Sequence, residues 1–218
     1  MKVFSIMKFI YNNYNNSEKS ITKRLHRKLI KSPMAVKFLF SINVLPAEIS
    51  NYFDLTTILL GRFLKKRLQH LPGLKVLEIG VGGFAVLSGY ISRWSNQTID
   101  AVDKDIQRID SSLKHVELNK VNVNVFYSDI FSNIKAKEYS LIFWNLPYYV
   151  DPDTFLPDLF DSAPNYMSDK SELIIGYNST VLSRNVILDI LKDYNELYLK
   201  QIRTYSWNLH EILVIVKN

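Results

Sequence analysis

Asn145-Leu146-Pro147-Tyr148 ends the apolar run Leu141-Ile142-Phe143-Trp144, and its residue types can do chemistry on a nitrogen. The run has the length and composition of a buried strand, so the motif falls at that strand's carboxyl end. The Asn145 side-chain oxygen and the Leu146 backbone carbonyl are two acceptors, one for each N–H of an amide or amino group. Pro147 biases Leu146 towards extended backbone, which keeps that carbonyl aimed. Tyr148 offers a flat face to a planar group and cation–π attraction to a positive charge, worth about 0.5–2 kcal/mol. The plain alternative is a turn after a strand. Trp144 and Tyr149 read as packing residues.

A second group of residues suits a nucleotide-like ligand. "VLEIGVGGFAVLSG" carries Glu78, Gly80, Gly82 and Gly83, and three of the chain's seven glycines lie within four positions. Missing side chains let the backbone turn sharply and let a ligand approach the main chain. The helix that follows presents N–H groups to a negative or polar ligand. Such a turn alone is shared by several nucleotide-binding and nicotinamide-binding folds. Asp103 stands twenty-one residues beyond Gly82, where a carboxylate can accept the hydroxyls of a ribose. Asp129, in "FYSDIF", is placed to accept from an adenine amino group. Each carboxylate has an alternative role as a helix N-cap, and Asp105 fits that role better than ligand binding.

These residues need strands to bring their ends together. Apolar runs at 74–80, 98–103, 123–129, 140–145 and 172–178 read as strands, with helices at 84–94, 105–119, 153–167 and 183–193. Alternating strand and helix implies crossover units and a mainly parallel α/β sheet covered on both faces. Two further extended runs, "LYLKQIRTYSW" and "HEILVIVKN", predict an antiparallel hairpin at the edge. Ligands in such sheets bind beyond the carboxyl ends of the strands. Residues 17–70 read as helices broken near Ser32-Pro33 and Leu45-Pro46, with a helix over 52–68 entered at Thr56-Thr57. The expected division is a basic helical extension over 1–50 (a lid, a substrate-recruiting segment or a dimer contact) and a catalytic domain over 51–218.

In the order and spacing of "EIGVGG", "VDKD", "SDIF" and "NLPY", the chain resembles the class I S-adenosylmethionine-dependent methyltransferases. The likeness runs from about residue 52 to 218 and includes the terminal hairpin. It is similar to the amino-methylating branch with an Asn/Asp-Pro-Pro-Tyr/Phe motif, which includes release-factor glutamine and rRNA or DNA amino-methyltransferases. "YFDLTTILL" resembles the segment that helps close the cofactor pocket there. The resemblance implies a Rossmann-like seven-stranded sheet binding S-adenosyl-L-methionine and releasing S-adenosyl-L-homocysteine. It implies that Thr57, Glu78, Gly80, Gly82, Asp103, Asp129, Ile130 and Asn145 line the cofactor: Gly80 and Gly82 at its methionine portion, Asp103 at its ribose and Asp129 at its adenine. It makes Asn145, Leu146, Pro147 and Tyr148 the catalytic motif. Methyl transfer from a sulfonium needs no metal and no covalent intermediate, only a well-oriented nucleophile. Phe84 stands where many relatives have a third glycine, and Leu146 where they usually have proline.

Composition narrows the classes. The 218 residues are 47% apolar and 13% aromatic, which excludes a disordered chain. The absence of cysteine excludes disulfides, thiolate metal sites and cysteine nucleophiles. Four separated histidines lack ligand spacing, so no metal is expected. No apolar stretch approaches the ~20 residues of a membrane span, and Lys8 interrupts a signal-peptide pattern, so the chain reads as soluble and cytoplasmic. Charge is uneven. Residues 1–70 hold thirteen Lys/Arg and three Asp/Glu (+10), and the remainder fourteen and eighteen (−4). The basic third suits phosphates or an acidic protein, or is a solvated helical face. An N-methyltransferase acting on RNA or a protein glutamine is the leading expectation. A small-molecule N-methyltransferase, a silent cofactor-binding protein and a nicotinamide oxidoreductase are the competing ones. The last does not account for the Asn-Leu-Pro-Tyr motif.

Overall fold

The computed structural model describes residues 24, 27–46, 51–69, 73–135, 138–147, 151–205 and 209–218. The strands are β1 (Val76–Ile79), β2 (Ile99–Asp103), β3 (Val123–Tyr127), β4 (Tyr139–Asn145), β5 (Met167–Asn178), β6 (Leu197–Thr204) and β7 (His210–Lys217). The helices are α1 (Pro33–Phe40), α2 (Leu55–Leu68), α3 (Val86–Ser95), α4 (Ile106–Asn119), α5 (Leu156–Ser162) and α6 (Arg184–Leu191). One seven-stranded sheet has the order β3-β2-β1-β4-β5-β7-β6. The first five strands run parallel, and β7 is antiparallel to both β5 and β6. The chain reverses direction across the sheet between β1 and β4, where such folds open a crevice.

Side chains alternate between two cores, as the two-residue period of a strand requires. Val76, Leu141, Phe143, Ile174 and Val214 pack beneath α2 and α3, whereas Leu77, Ile142, Trp144, Leu173 and Leu213 pack beneath α5 and α6. The closing hairpin follows the same logic. "HEILVIVK" is buried along nearly its whole length and lies inside the sheet as β7, while the alternating "LYLKQIRT" forms the edge strand β6. β7 therefore sits between β5 and its own hairpin partner.

Several boundaries differ from the expected ones. α2 is entered at Asp54, not at Thr56-Thr57, because the Asp54 carboxylate accepts the Thr57 N–H while the Thr57 hydroxyl accepts the Asp54 N–H, a capping box. The expected helix 153–167 is two short 3₁₀ turns flanking the seven-residue α5, since Pro157 and Pro164 each interrupt a run. β5 starts five residues earlier than expected, with a register shift beside Tyr139 and a left-handed Lys170 that carry the polar "SDKS" along the ladder.

The break at Ser32-Pro33 is the start of α1, where Ser32 caps the Ala35 N–H at 3.3 Å. Residues 33–46 dock on the domain. Val36, Phe40 and Ile42 are buried in the α2–α3 core, and Asn119 brackets Asn43 through its N–H and carbonyl at 2.7 and 2.8 Å. His115 Nε2 accepts the Leu45 N–H at 3.1 Å, so its Nδ1 carries the proton given to the Ser111 carbonyl. Most of the basic run 19–31 lies outside the described residues. No helix among the described residues is long and apolar enough to cross a membrane.

Candidate functional site

The ends of β1, β2, β3 and β4 meet in a cleft at the point where the sheet changes direction. Backbone bonds lock the ends together. Val81 N–H reaches the Val102 carbonyl at 2.9 Å, and Ser128 N–H reaches that of Asp103 at 3.1 Å. The Asp103 carboxylate reinforces them, accepting Gly82 N–H at 3.0 Å through one oxygen and Asp105 N–H at 3.1 Å through the other. Asp105 itself caps α4, as its position in the sequence implied. Asp103 is buried, while Asp129 is half-exposed near Lys104.

The cleft comprises two adjoining hollows of about 610 and 350 Å³. The larger is bordered by Thr57, Glu78, Gly82 and Phe84, and the smaller by Asp103, Asp129, Ile130, Leu146 and Pro147. Asp54, Gly80, Arg108 and Asn145 border both. A wider groove of about 980 Å³ lies beside α2 and β6, but Arg67 and Lys200 converge there on Glu172 and none of the described motif residues reaches it.

The glycines are explained by two different needs. Gly80 and Gly82 are left-handed, with φ of +69° and +67°. A Cβ on Gly80 would lie 2.6 Å from the Trp144 indole nitrogen, whereas one on Gly82 would meet nothing within 4 Å. The first glycine admits a neighbouring ring and the second faces open cleft. Phe84 packs edge-on against Tyr52 and His115, so the bulky residue in the third glycine position ties the turn to α4 and to the segment before α2.

Two polar groups here are paired incompletely or at an energetic disadvantage. Glu78 is buried beneath α3, and burial pushes its carboxyl up to about 8. The Ser88 hydrogen bonds oppose that rise and the nearby Asp103 charge adds to it. No side chain within α3 caps its own amino end; the Glu78 oxygen does so from β1, accepting Ser88 N–H at 3.0 Å. Asn145 donates its Nδ2 to Thr57 Oγ1 at 3.2 Å, while its Oδ1 is buried with no partner among the described residues. An unpaired buried carbonyl oxygen is an acceptor waiting for a donor. Leu146 continues the ladder through its N–H to Gly176 at 2.8 Å and buries its side chain, so the leucine that departs from the resembled motif's usual proline supplies core volume.

Residues 50–203 match the family model of the methyltransferase small domain. This chain belongs to that family. Among curated relatives, it is 29% identical over 153 residues to a ribosomal protein L11 methyltransferase of Thermosipho africanus, covering 70% of this chain and 53% of the relative. It is 32% identical over 119 residues to a ribosomal RNA small subunit methyltransferase C of Aliivibrio fischeri, covering 51% and 34%. The chain thus spans about half of the first relative and a third of the second. In fold, the chain superposes on a crystallised methyltransferase from Pyrococcus furiosus with a TM-score of 0.70, at 20% identity over 89% of this chain and 98% of that one.

Among the residues singled out from sequence, Thr57, Glu78, Gly80, Gly82, Asp103, Asp129, Ile130, Asn145, Leu146 and Pro147 all border the cleft. Tyr148 lies outside the described residues. Thr57 borders the cleft, but its hydroxyl is engaged by Asp54 and Asn145. Asp54, Arg108 and Trp144 border the hollows and were not singled out as site residues. The signal for Asp54 was local: an N-capping carboxylate three residues ahead of a threonine.

Proposed function

We propose that this chain is an S-adenosyl-L-methionine-dependent N-methyltransferase acting on an exocyclic amino group of ribosomal RNA. The unpaired, buried Asn145 oxygen at the end of β4 carries this reading. It is an acceptor already desolvated and held on a strand, where hydrogen-bonding a nucleophile's N–H orients the nitrogen lone pair without further reorganisation. The Leu146 carbonyl is assigned the second N–H.

The residues present fit the cofactor. Asp103 spends one lone pair of each oxygen on backbone N–H groups and keeps others for ribose hydroxyls. Asp129 and Ile130 border the same small hollow and are assigned to the adenine. Glu78 and the open face of Gly82 are assigned to the methionine portion, whose ammonium would be met by the Glu78 carboxylate. When bound, the cofactor supplies a methyl group on a cationic sulfur for displacement by the incoming nitrogen.

RNA is supported by the exposed cations Arg24, Arg27, Lys28, Lys31 and Lys37 in and before α1, which we assign to substrate recruitment. It is also supported by the ribosomal RNA methyltransferase named among the relatives. A ribosomal protein is the second reading, favoured by the Thermosipho relative, which aligns over more of this chain. The test is transfer from methyl-labelled cofactor to ribosomal RNA, ribosomal protein and free nucleosides in parallel. Label in the RNA, recovered on a base amino group, is the expected result. Label in protein alone selects the second reading. Label confined to small molecules, or none at all, overturns both.

A further inference from the structure

We propose that Asp54 is a positioning residue which, through Thr57, sets the orientation of the Asn145 amide and so decides that an oxygen, not an NH₂, is offered to the substrate. The inference rests on the N-methyl-transfer reading and adds a residue to its machinery.

The hydrogen bonds can be counted atom by atom. Thr57 has one hydroxyl proton and two lone pairs. Its Oγ1 lies 2.6 Å from Asp54 Oδ1, the carboxyl oxygen that also accepts the Thr57 N–H, so the hydroxyl proton goes there. The lone pairs then receive Asp54 N–H at 3.1 Å and Asn145 Nδ2 at 3.2 Å. Thr57 is thereby left with nothing to donate to Asn145. A reversed amide would set its oxygen against a lone pair of Thr57 and close to the Asp54 carboxylate, which also faces the Asn145 amide. Only one orientation satisfies the cluster, and it leaves Oδ1 as the unpaired atom.

The same carboxylate also caps α2 through Thr57 N–H at 2.6 Å. The cap thus has two effects: it starts a helix and it polarises a side chain on the neighbouring strand. Burial raises the Asp54 carboxyl, against hydrogen bonds from Thr57 and Asn145 that favour the charged form. The groups facing it are the N–H and hydroxyl of Thr57, its own N–H and the Asn145 amide, with Arg108 as the cation bordering the same hollows.

Separating orientation from capping needs variants that keep the helix. Thr57→Ser retains the hydroxyl, Thr57→Val removes it without changing shape, and Asp54→Asn keeps a good N-cap while mixing donors into the cluster. At saturating cofactor, Thr57→Val and Asp54→Asn should each slow methyl transfer about tenfold, which is about 1.4 kcal/mol. Their affinity for S-adenosyl-L-homocysteine should stay within about twofold, and Thr57→Ser should restore the rate. In an Asn145→Ala background, Thr57→Val should slow the residual rate by less than about twofold, because residues acting as a unit are not additive. Multiplicative losses in that background, or losses matched by weaker cofactor binding, would overturn the proposal. A second readout needs no substrate. The Asn145 side-chain NH₂ protons, followed by ¹⁵N-resolved hydrogen exchange, should be protected in the parent chain and in Thr57→Ser and exposed in Thr57→Val. Unchanged exchange in Thr57→Val refutes the lock even if the parent methylates nothing. Protected protons with no methyl acceptor leave the lock standing and refute only the reading of the reaction.

Discussion

Replacing Glu78 by glutamine isolates the least comfortable group in the cleft. Burial lifts this carboxyl from 4.5 to about 8, so between those pH values the folded chain holds a proton that the unfolded chain has released. Folding then takes up a proton, and stability contributed at low pH is lost as pH rises through that window. One pH unit within it corresponds to about 1.4 kcal/mol. At pH 7, two and a half units above the ordinary value, native Glu78 is responsible for a loss of roughly 3 kcal/mol. Glutamine keeps an oxygen for Ser88 N–H and has no proton to gain or lose. Glu78→Gln should therefore match the parent near pH 4.5 and exceed it by roughly 3 kcal/mol at pH 7. Urea unfolding at half-unit pH steps measures both chains, and their difference cancels every other titrating group, Asp54 included. Parallel curves between pH 5 and 8 would refute the reasoning, because a carboxylate already ionised in the fold produces no slope. The stabilised variant should also bind S-adenosyl-L-methionine at least tenfold more weakly, about 1.4 kcal/mol. Titration of the parent in buffers of different ionisation enthalpy should register proton release near pH 7, as a cation entering the cleft favours the carboxylate.

The glycines separate by position. Gly80→Ala should destabilise by about 2–4 kcal/mol in thermal unfolding, through left-handed strain and collision with Trp144. Gly82→Ala carries only the strain, about 1–2 kcal/mol, but should weaken cofactor binding. Gly83→Ala, in ordinary contact with Ser111, should change stability by less than about 0.5 kcal/mol. Asn145→Ala should hold the cofactor within about threefold while slowing transfer by about a hundredfold, checked by calorimetry beside labelled transfer. Asp103→Ala should weaken the cofactor more than Asp129→Ala does. The first is buried and also pins Gly82, whereas the second is half-exposed, and paired titrations give the ratio.

The division between what the chain declares and what the fold decides is visible at particular residues. Period and punctuation carried the alternating elements. Leu141–Asn145 reads as a buried strand, and the glycine turn announces a tight bend. A continuous apolar run forms β7, while a mixed run forms β6, because burial on two faces or one is written in composition. The cleft residues from Gly80 onward were legible because each ends or follows a strand, and parallel strands present their carboxyl ends on one side. Proline and polar residues misled where local pattern and ladder disagreed, as in 153–171. Tertiary structure alone decided the roles of Thr57 and Asp54. Their use depends on a strand residue 88 positions further along meeting a helix start, and no local pattern encodes which hydroxyl lone pair receives which proton. Nor could spacing reveal that Glu78 lies under α3 with its charge opposed by burial, since desolvation belongs to the packed surroundings and not to the residue.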